Sequence, residues 1–186
     1  MYAAAVRLAL GDTTFADTAL ARIVQSGRDP DAWLLSGLVA AKRGDDAHAR
    51  SLLLEAIAAG ADTAEGRAAL AAVAARERRW GEVETGARAA FAAARGTLRH
   101  PYPREFLSDA LTRFALDGPP RAADSLMQAA LASRNGWSKL HELAAAAALH
   151  AGLCDEAVRQ FLVLLEFGIE RDEGPELVMR CRHAGL

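Results

Sequence analysis

The chain has 186 residues, of which 52% are hydrophobic, 25% charged and 6% aromatic, with 22 basic against 24 acidic side chains and a formal net charge of −2. That composition suits one sizeable domain or a short array of small units and excludes a disordered tail. It offers no basic excess to neutralise the phosphates of a nucleic acid. No apolar run approaches the roughly 20 residues that insertion across a bilayer requires.

Met1 to Leu10 is apolar with one arginine, has no basic leader and runs directly into Gly11-Asp12-Thr13. It therefore reads as a helix over 2–10, not as a signal peptide. A second helix is expected over 13–27. Asp31, after Pro30, heads a helix over 31–43 that ends at the turn Gly44-Asp45-Asp46, and another follows over 46–59. Asp62 with Glu65 makes a capping-box-like pair before a helix over 63–78, and Arg78-Arg79-Trp80 forms the turn into 80–95.

Gly96 to Pro103 breaks the pattern, because its two prolines disfavour helix. Beyond it the expected helices are 103–116 and 120–134, separated by Gly118-Pro119-Pro120. Asn135-Gly136 closes that pair. Ser138 is placed to cap a helix over 138–151, and Gly152-Leu153-Cys154 turns into the last of the series, 154–168. Alanine supplies much of the apolar content. It is the best helix former, and its small side chain lets helix axes approach.

The elements repeat. Small residues recur at Ala16, Ala49, Val83, Ala123 and Ala157, separated by 33, 34, 40 and 34 positions, and each follows a turn. Alanine-rich composition alone would not place turn glycines and prolines in phase with them. A helix pair of this kind cannot bury its apolar stripe alone, so successive pairs stack and larger side chains fill the interface between units. The stretch Trp33-Leu34-Leu35-Ser36-Gly37, followed by Gly44, Ala49 and Ala56, resembles the tetratricopeptide repeat family.

The resemblance implies an all-α protein, a right-handed α-solenoid of about five antiparallel helix pairs plus a C-terminal capping helix. One domain over 1–186 is expected, with sub-blocks 1–95 and 103–186 joined by the irregular segment 96–102. His150-Ala151-Gly152-Leu153 reappears 33 residues later as His183-Ala184-Gly185-Leu186. Pro175 to His183 thus occupies the place of the first helix in a sixth unit. Glu173, Glu176, Arg180 and Arg182 would give it the polar outer face of a cap.

Little in the chain points to catalysis. It contains no phosphate-cradling glycine loop, zinc-protease motif or paired-cysteine metal spacing, so neither an enzyme nor a resident cofactor or metal is expected. His150 and Cys154, with Cys181 and His183 a unit later, form the best metal candidate, but packing is the preferred reading. His48, His100 and His141 read as solvent-facing or loop residues, and Trp33, Trp80 and Trp137 as inter-helix anchors. Two cysteines read as isolated thiols of a reducing compartment, which makes a cytoplasmic protein the expectation.

The family resemblance places ligands on a concave face formed by the first helix of each pair. By register that face carries Leu34, Leu38, Ala41 and Lys42, then Ala68, Ala72, Ala75 and Arg76, then Ser108, Thr112 and Leu116, then Glu142, Ala146, Leu149 and His150. The Lys and Asn clamp by which chaperone-docking members hold a peptide carboxylate is absent, since Leu34, Leu38, Ala68 and Ala72 stand in its places. The expected partner is another protein, presenting a peptide or an amphipathic helix to a groove lined by small residues. A sensor with a small-ligand pocket is the alternative. Self-association, or a role as a module of a larger polypeptide, fits the same features.

Overall fold

The computed structural model describes residues 11–26, 29–94, 101–132, 137–166, 168 and 181, the side chains of residues 17, 22, 23, 25, 26 and 101–103 excepted. Among the described residues the chain is all-helical, without strand. The helices are α1 (Thr13–Ser26), α2 (Pro30–Arg43), α3 (Asp46–Ala58), α4 (Ala64–Arg76), α5 (Trp80–Ala93), α6 (Pro101–Asp117), α7 (Pro120–Ala132), α8 (Lys139–His150) and α9 (Cys154–Glu166). The expected helix at 2–10, the Asn135-Gly136 turn and the proposed C-terminal cap fall outside these residues, Cys181 excepted. The chain divides into two compact units, Met1–Ala110 and Leu111–Leu186, with the division inside α6.

Helix ends follow from local chemistry, with some substitutions of role. Asp29, not Asp31, caps α2, accepting from the N–H groups of Asp31 at 3.1 Å and Ala32 at 3.4 Å, while Pro30 takes the first helical position. Asp45 caps α3 through the His48 N–H. Thr63 caps α4 by accepting from Gly66 N–H at 3.2 Å, and Asp62 instead grips Arg67 through two hydrogen bonds of 2.7 and 2.9 Å. The Asp62–Glu65 capping box is thereby corrected: a hydroxyl one residue later reaches the free N–H groups first. Ser138 has helical backbone angles and makes no capping hydrogen bond. Pro101 and Pro103 lie in the first turn of α6. Their missing N–H groups have no intrahelical partner there in any case, so the helix begins at Pro101, two residues before the expected start at Pro103.

Three turns inside the expected helix pairs are built alike, and the Gly60 turn between pairs repeats them, with Gly60 and Ala61 N–H bonded to the carbonyls of Ile57 and Ala56. The N–H groups of Gly44 and Asp45 bond to the carbonyls of Ala41 and Ala40; Arg78 and Arg79 bond to Ala75 and Ala74; Gly152 and Leu153 bond to Leu149 and Ala148. Each is the paired cap that closes a helix on a left-handed residue. Those residues are Gly44 at φ 78°, Gly152 at φ 74° and, without the benefit of glycine, Arg78 at φ 56°. The turn at Gly118 departs from the pattern. Gly118 is not left-handed, but a Cβ there would stand 2.5 Å from the Phe114 carbonyl oxygen and 2.6 Å from its ring. Glycine is required at 118 for space.

In the first unit α2 packs on α1, α3 and α4, while α4 also packs on α3 and α5. Its centre is α4, where Ala68, Ala69, Ala71, Ala72, Val73, Ala74 and Ala75 are all at most 2% exposed. A helix apolar around most of its circumference belongs inside, and alanine lets its neighbours close on it. The same economy of size recurs between α2 and α3, where a Cβ at Gly37 would stand 2.6 Å from Leu53 Cγ. In the second unit α8 plays the central part, packing on both α7 and α9, with Leu140, Leu143, Ala144, Ala145, Ala147 and Ala148 buried. Leu111, Phe114 and Ala115 of α6 and Leu126 and Met127 of α7 complete that core. The five repeat positions Ala16, Ala49, Val83, Ala123 and Ala157 are each fully buried at 0% exposure.

Candidate interaction face and polar clusters

Burial sorts the expected concave-face residues into two classes. Leu34, Leu38, Ala41, Ala68, Ala72 and Ala75 are buried in the first unit, between 0% and 9% exposed. They form part of the first unit's core. The reason is steric: small residues on α2 and α4 admit the neighbouring helix of the same chain. Leu34 comes within 3.0 Å of where a Cβ on Gly66 would stand, which shows how closely the two helices approach.

The polar members of the set remain at least partly accessible, and several of them form ion pairs with other side chains. Lys42 pairs with Glu105 at 2.8 Å. Arg76, 22% exposed, binds Asp46 of α3 at 2.6 Å, Asp109 of α6 at 2.9 Å and the Ala41 carbonyl of α2 at 3.2 Å. One guanidinium thus ties α4 to three other helices, using its planar fork as lysine could not. Its hydrogen bonds to Asp46, ahead of any burial effect, hold it above the usual arginine range. Ser108 is half-buried next to Asp109 on α6. Sequence register named Lys42 and Arg76 but not their partners Asp46, Glu105 and Asp109. Opposite charge at 30 and 33 residues' separation from Arg76 was the available signal.

In the second unit Thr112 and Ala146 are half-buried, Leu116 is 58% exposed and His150 is exposed, with its Nδ1 3.1 Å from the Ala115 carbonyl oxygen. Glu142 pairs with Lys139 and Leu149 is half-buried. A second polar network runs through the interior of this unit. His141 Nδ1 meets Gln160 Oε1 at 2.7 Å, and the Gln160 amide donates to Glu156 at 2.6 Å. Glu156 also accepts from Gln128 at 3.0 Å and pairs with Arg159 at 2.5 Å. The chain of contacts links α8, α9 and α7. Gln160, 8% exposed, is a buried polar side chain satisfied on both ends. The Gln160 donor foremost, with Gln128 and Arg159, keeps the Glu156 carboxyl below the ordinary glutamate range against the opposing effect of burial.

Beside this network, at the head of α9, lies an open cavity of about 530 Å³ whose wall includes Asp124, Gln128, Cys154, Asp155, Glu156 and Arg159. No aromatic side chain is among its described lining. Cys154 is joined to Cys181 in a disulfide, with the Cα atoms 5.3 Å apart, inside the usual span for such bonds. That corrects the isolated-thiol reading, and it removes both sulfurs as thiolate ligands from the metal set considered with His150 and His183. His183 itself lies outside the described residues. Among those residues no group of three or more His, Cys, Asp and Glu side chains is placed to hold a metal, and no helix is long and apolar enough to cross a membrane.

No family model matches the chain, and no curated protein or solved structure matches it either.

Proposed function

We propose that the chain is a non-catalytic interaction scaffold of tetratricopeptide-like helical hairpins, stacked as a solenoid, which binds a peptide or partner helix of another protein. The single observation that carries this reading is the phase of its repeats: all five small positions are fully buried, and three of the intervening turns share one hydrogen-bond pattern. Turns of two or three residues between long helices favour antiparallel pairs. Stacked pairs of this kind leave a long surface for partners and need no cofactor.

The contact surface proposed is the accessible remainder of the first helices. Each unit presents its own patch: Lys42, Arg76 and Ser108 in the first, and Thr112, Leu116, Glu142, Ala146 and His150 in the second. A partner with mixed charge and at least one apolar anchor suits these groups better than a purely apolar helix. The protein is proposed to act in the cytoplasm. The test is affinity capture from cells that make it, using the parent chain, Leu116→Glu, Lys42→Glu and, as an exposed control elsewhere, Leu54→Glu. Partners lost with the first two variants and kept with the control support the surface. Partners retained by all three variants refute it.

A second reading has one observation in its favour. The 530 Å³ cavity is of a size for a small ligand, and its wall carries both carboxylates and Arg159. A ligand-sensing module would use it for a polar molecule, and calorimetric titration against a library of charged metabolites would test that role.

A further inference from the structure

We propose that the Cys154–Cys181 disulfide is a reversible, redox-operated clasp, reached by reductants through the cavity at the head of α9, that tightens the second unit when oxidised and loosens it when reduced. Four observations support it. Cys154 and Cys181 are the only cysteines in the chain, so the bond forms and breaks without competing pairings. Cys154 lines the open cavity, and both cysteines are half-buried, not sealed in the core. The bond closes a loop across a separation of 27 residues, long enough for the cross-link to matter to the unfolded chain. Finally, Cys154 opens α9, where unpaired backbone N–H groups favour a thiolate.

Placement at the helix start also assigns the two sulfurs their parts. Asp155 and Glu156 follow Cys154 and would oppose a negative charge there, but Glu156 is already engaged by Gln160, Gln128 and Arg159. Cys154 lines the cavity and is the sulfur that a reductant reaches, and its place at the helix start makes it the better leaving group in the second exchange. A thiolate of a cellular dithiol bonds to Cys154 Sγ, and the electron pair of the broken S–S bond departs on Cys181 Sγ. The second thiol of the reductant then displaces Cys154 from the mixed disulfide. Two electrons and two protons pass to the protein, leaving two thiols, and the dithiol is oxidised to its own disulfide. A disulfide of this kind is compatible with a reducing compartment, where such bonds serve as transient sensors.

The experiment uses the full oxidised chain under native conditions with increasing dithiothreitol, followed by acid quench, alkylation and mass measurement. The expected result is that both cysteines become alkylated together, at an initial rate proportional to reductant concentration. Reduced protein should melt several degrees lower than oxidised protein. Cys154→Ser and Cys181→Ser should each melt with the reduced form and ignore reductant. In glutathione mixtures the bond should pass from oxidised to reduced within the cellular range of ratios.

A reduction rate that stays fixed as reductant rises, at the rate of global unfolding, would show a sealed structural bond and overturn the proposal. So would a bond that survives a large excess of reduced glutathione, or thiols that alkylate freely in the air-oxidised chain. An unchanged melting temperature on reduction would equally refute the clasp. Should either serine variant fail to fold, the rate measurement on the parent chain still decides.

Discussion

Arg76 shows how much one side chain can organise. Its guanidinium is only 22% exposed and meets two carboxylates and a carbonyl on three helices. Arg76→Leu would remove the cation that Asp46 and Asp109 share, and should lower stability by about 2 kcal/mol in urea denaturation, the order expected for breaking a partly buried ion pair. A loss below a few tenths would show the cluster to be merely superficial. Glycines divide just as sharply. Gly37→Ala must push Leu53, whose Cγ and backbone nitrogen lie 2.6 and 3.2 Å from the new Cβ, whereas Gly81 has nothing within 4 Å. Overpacking of roughly 1–3 kcal/mol should outweigh the helix-propensity gain of up to about 1 kcal/mol at 37, so Gly37→Ala destabilises and Gly81→Ala slightly stabilises. Thermal melts of the two variants should move in opposite directions.

Glu156 belongs to the same scale. Its carboxyl is held low in the folded chain, chiefly by the Gln160 hydrogen bond. The folded state therefore binds the proton less readily than the unfolded state. The resulting stabilisation is fully present above the ordinary glutamate value of about 4.3 and disappears as pH falls through the lowered folded value. Denaturation measured from pH 6 to pH 3 should fall less steeply for Glu156→Gln than for the parent. Parallel curves would remove Glu156 from the acid response.

Elements were legible where chemistry is local. The spacing of apolar residues and the turn residues placed helix ends to within a few positions, because capping and left-handed turns depend on neighbours in sequence. The exceptions are instructive. Asp62 and Thr63 both suit a helix start, and only the position of Arg67 decides that Asp62 forms an ion pair while Thr63 caps. Arg78 is the weak turn of the series, sitting where Gly44 and Gly152 sit and paying for a left-handed φ of 56°. Arg78→Gly should stabilise the chain by about 0.5–1 kcal/mol, since the strain relieved exceeds the added flexibility of the unfolded state. A melting temperature that falls instead would mean the Arg78 side chain makes a contact worth more than its strain.

At the scale of the whole molecule, each unit is organised around one alanine-rich helix, α4 in the first and α8 in the second. Amide hydrogen exchange should be slowest there, around Val73 to Ala75 and Ala144 to Ala148, and faster in α1 and the outer turns of α9. Uniform protection along the chain would argue against such centres. The redox state of Cys154 and Cys181 should alter exchange in the second unit more than in the first.

Sequence alone determined that the chain is helical, where most helices start and stop, and that small residues recur in phase. These properties rest on backbone propensity, capping and periodicity, all of which act within a few residues. Only the tertiary structure decided the fate of the alanines on α2 and α4. Periodicity marks a face as apolar without saying whether a guest or the chain's own neighbouring helix covers it, and here the neighbouring helices do. Likewise only folding brings Arg76 to Asp109 across 33 residues and Cys154 to Cys181 across 27. Ion pairs and disulfides need proximity in space, and that is settled by how the helices pack.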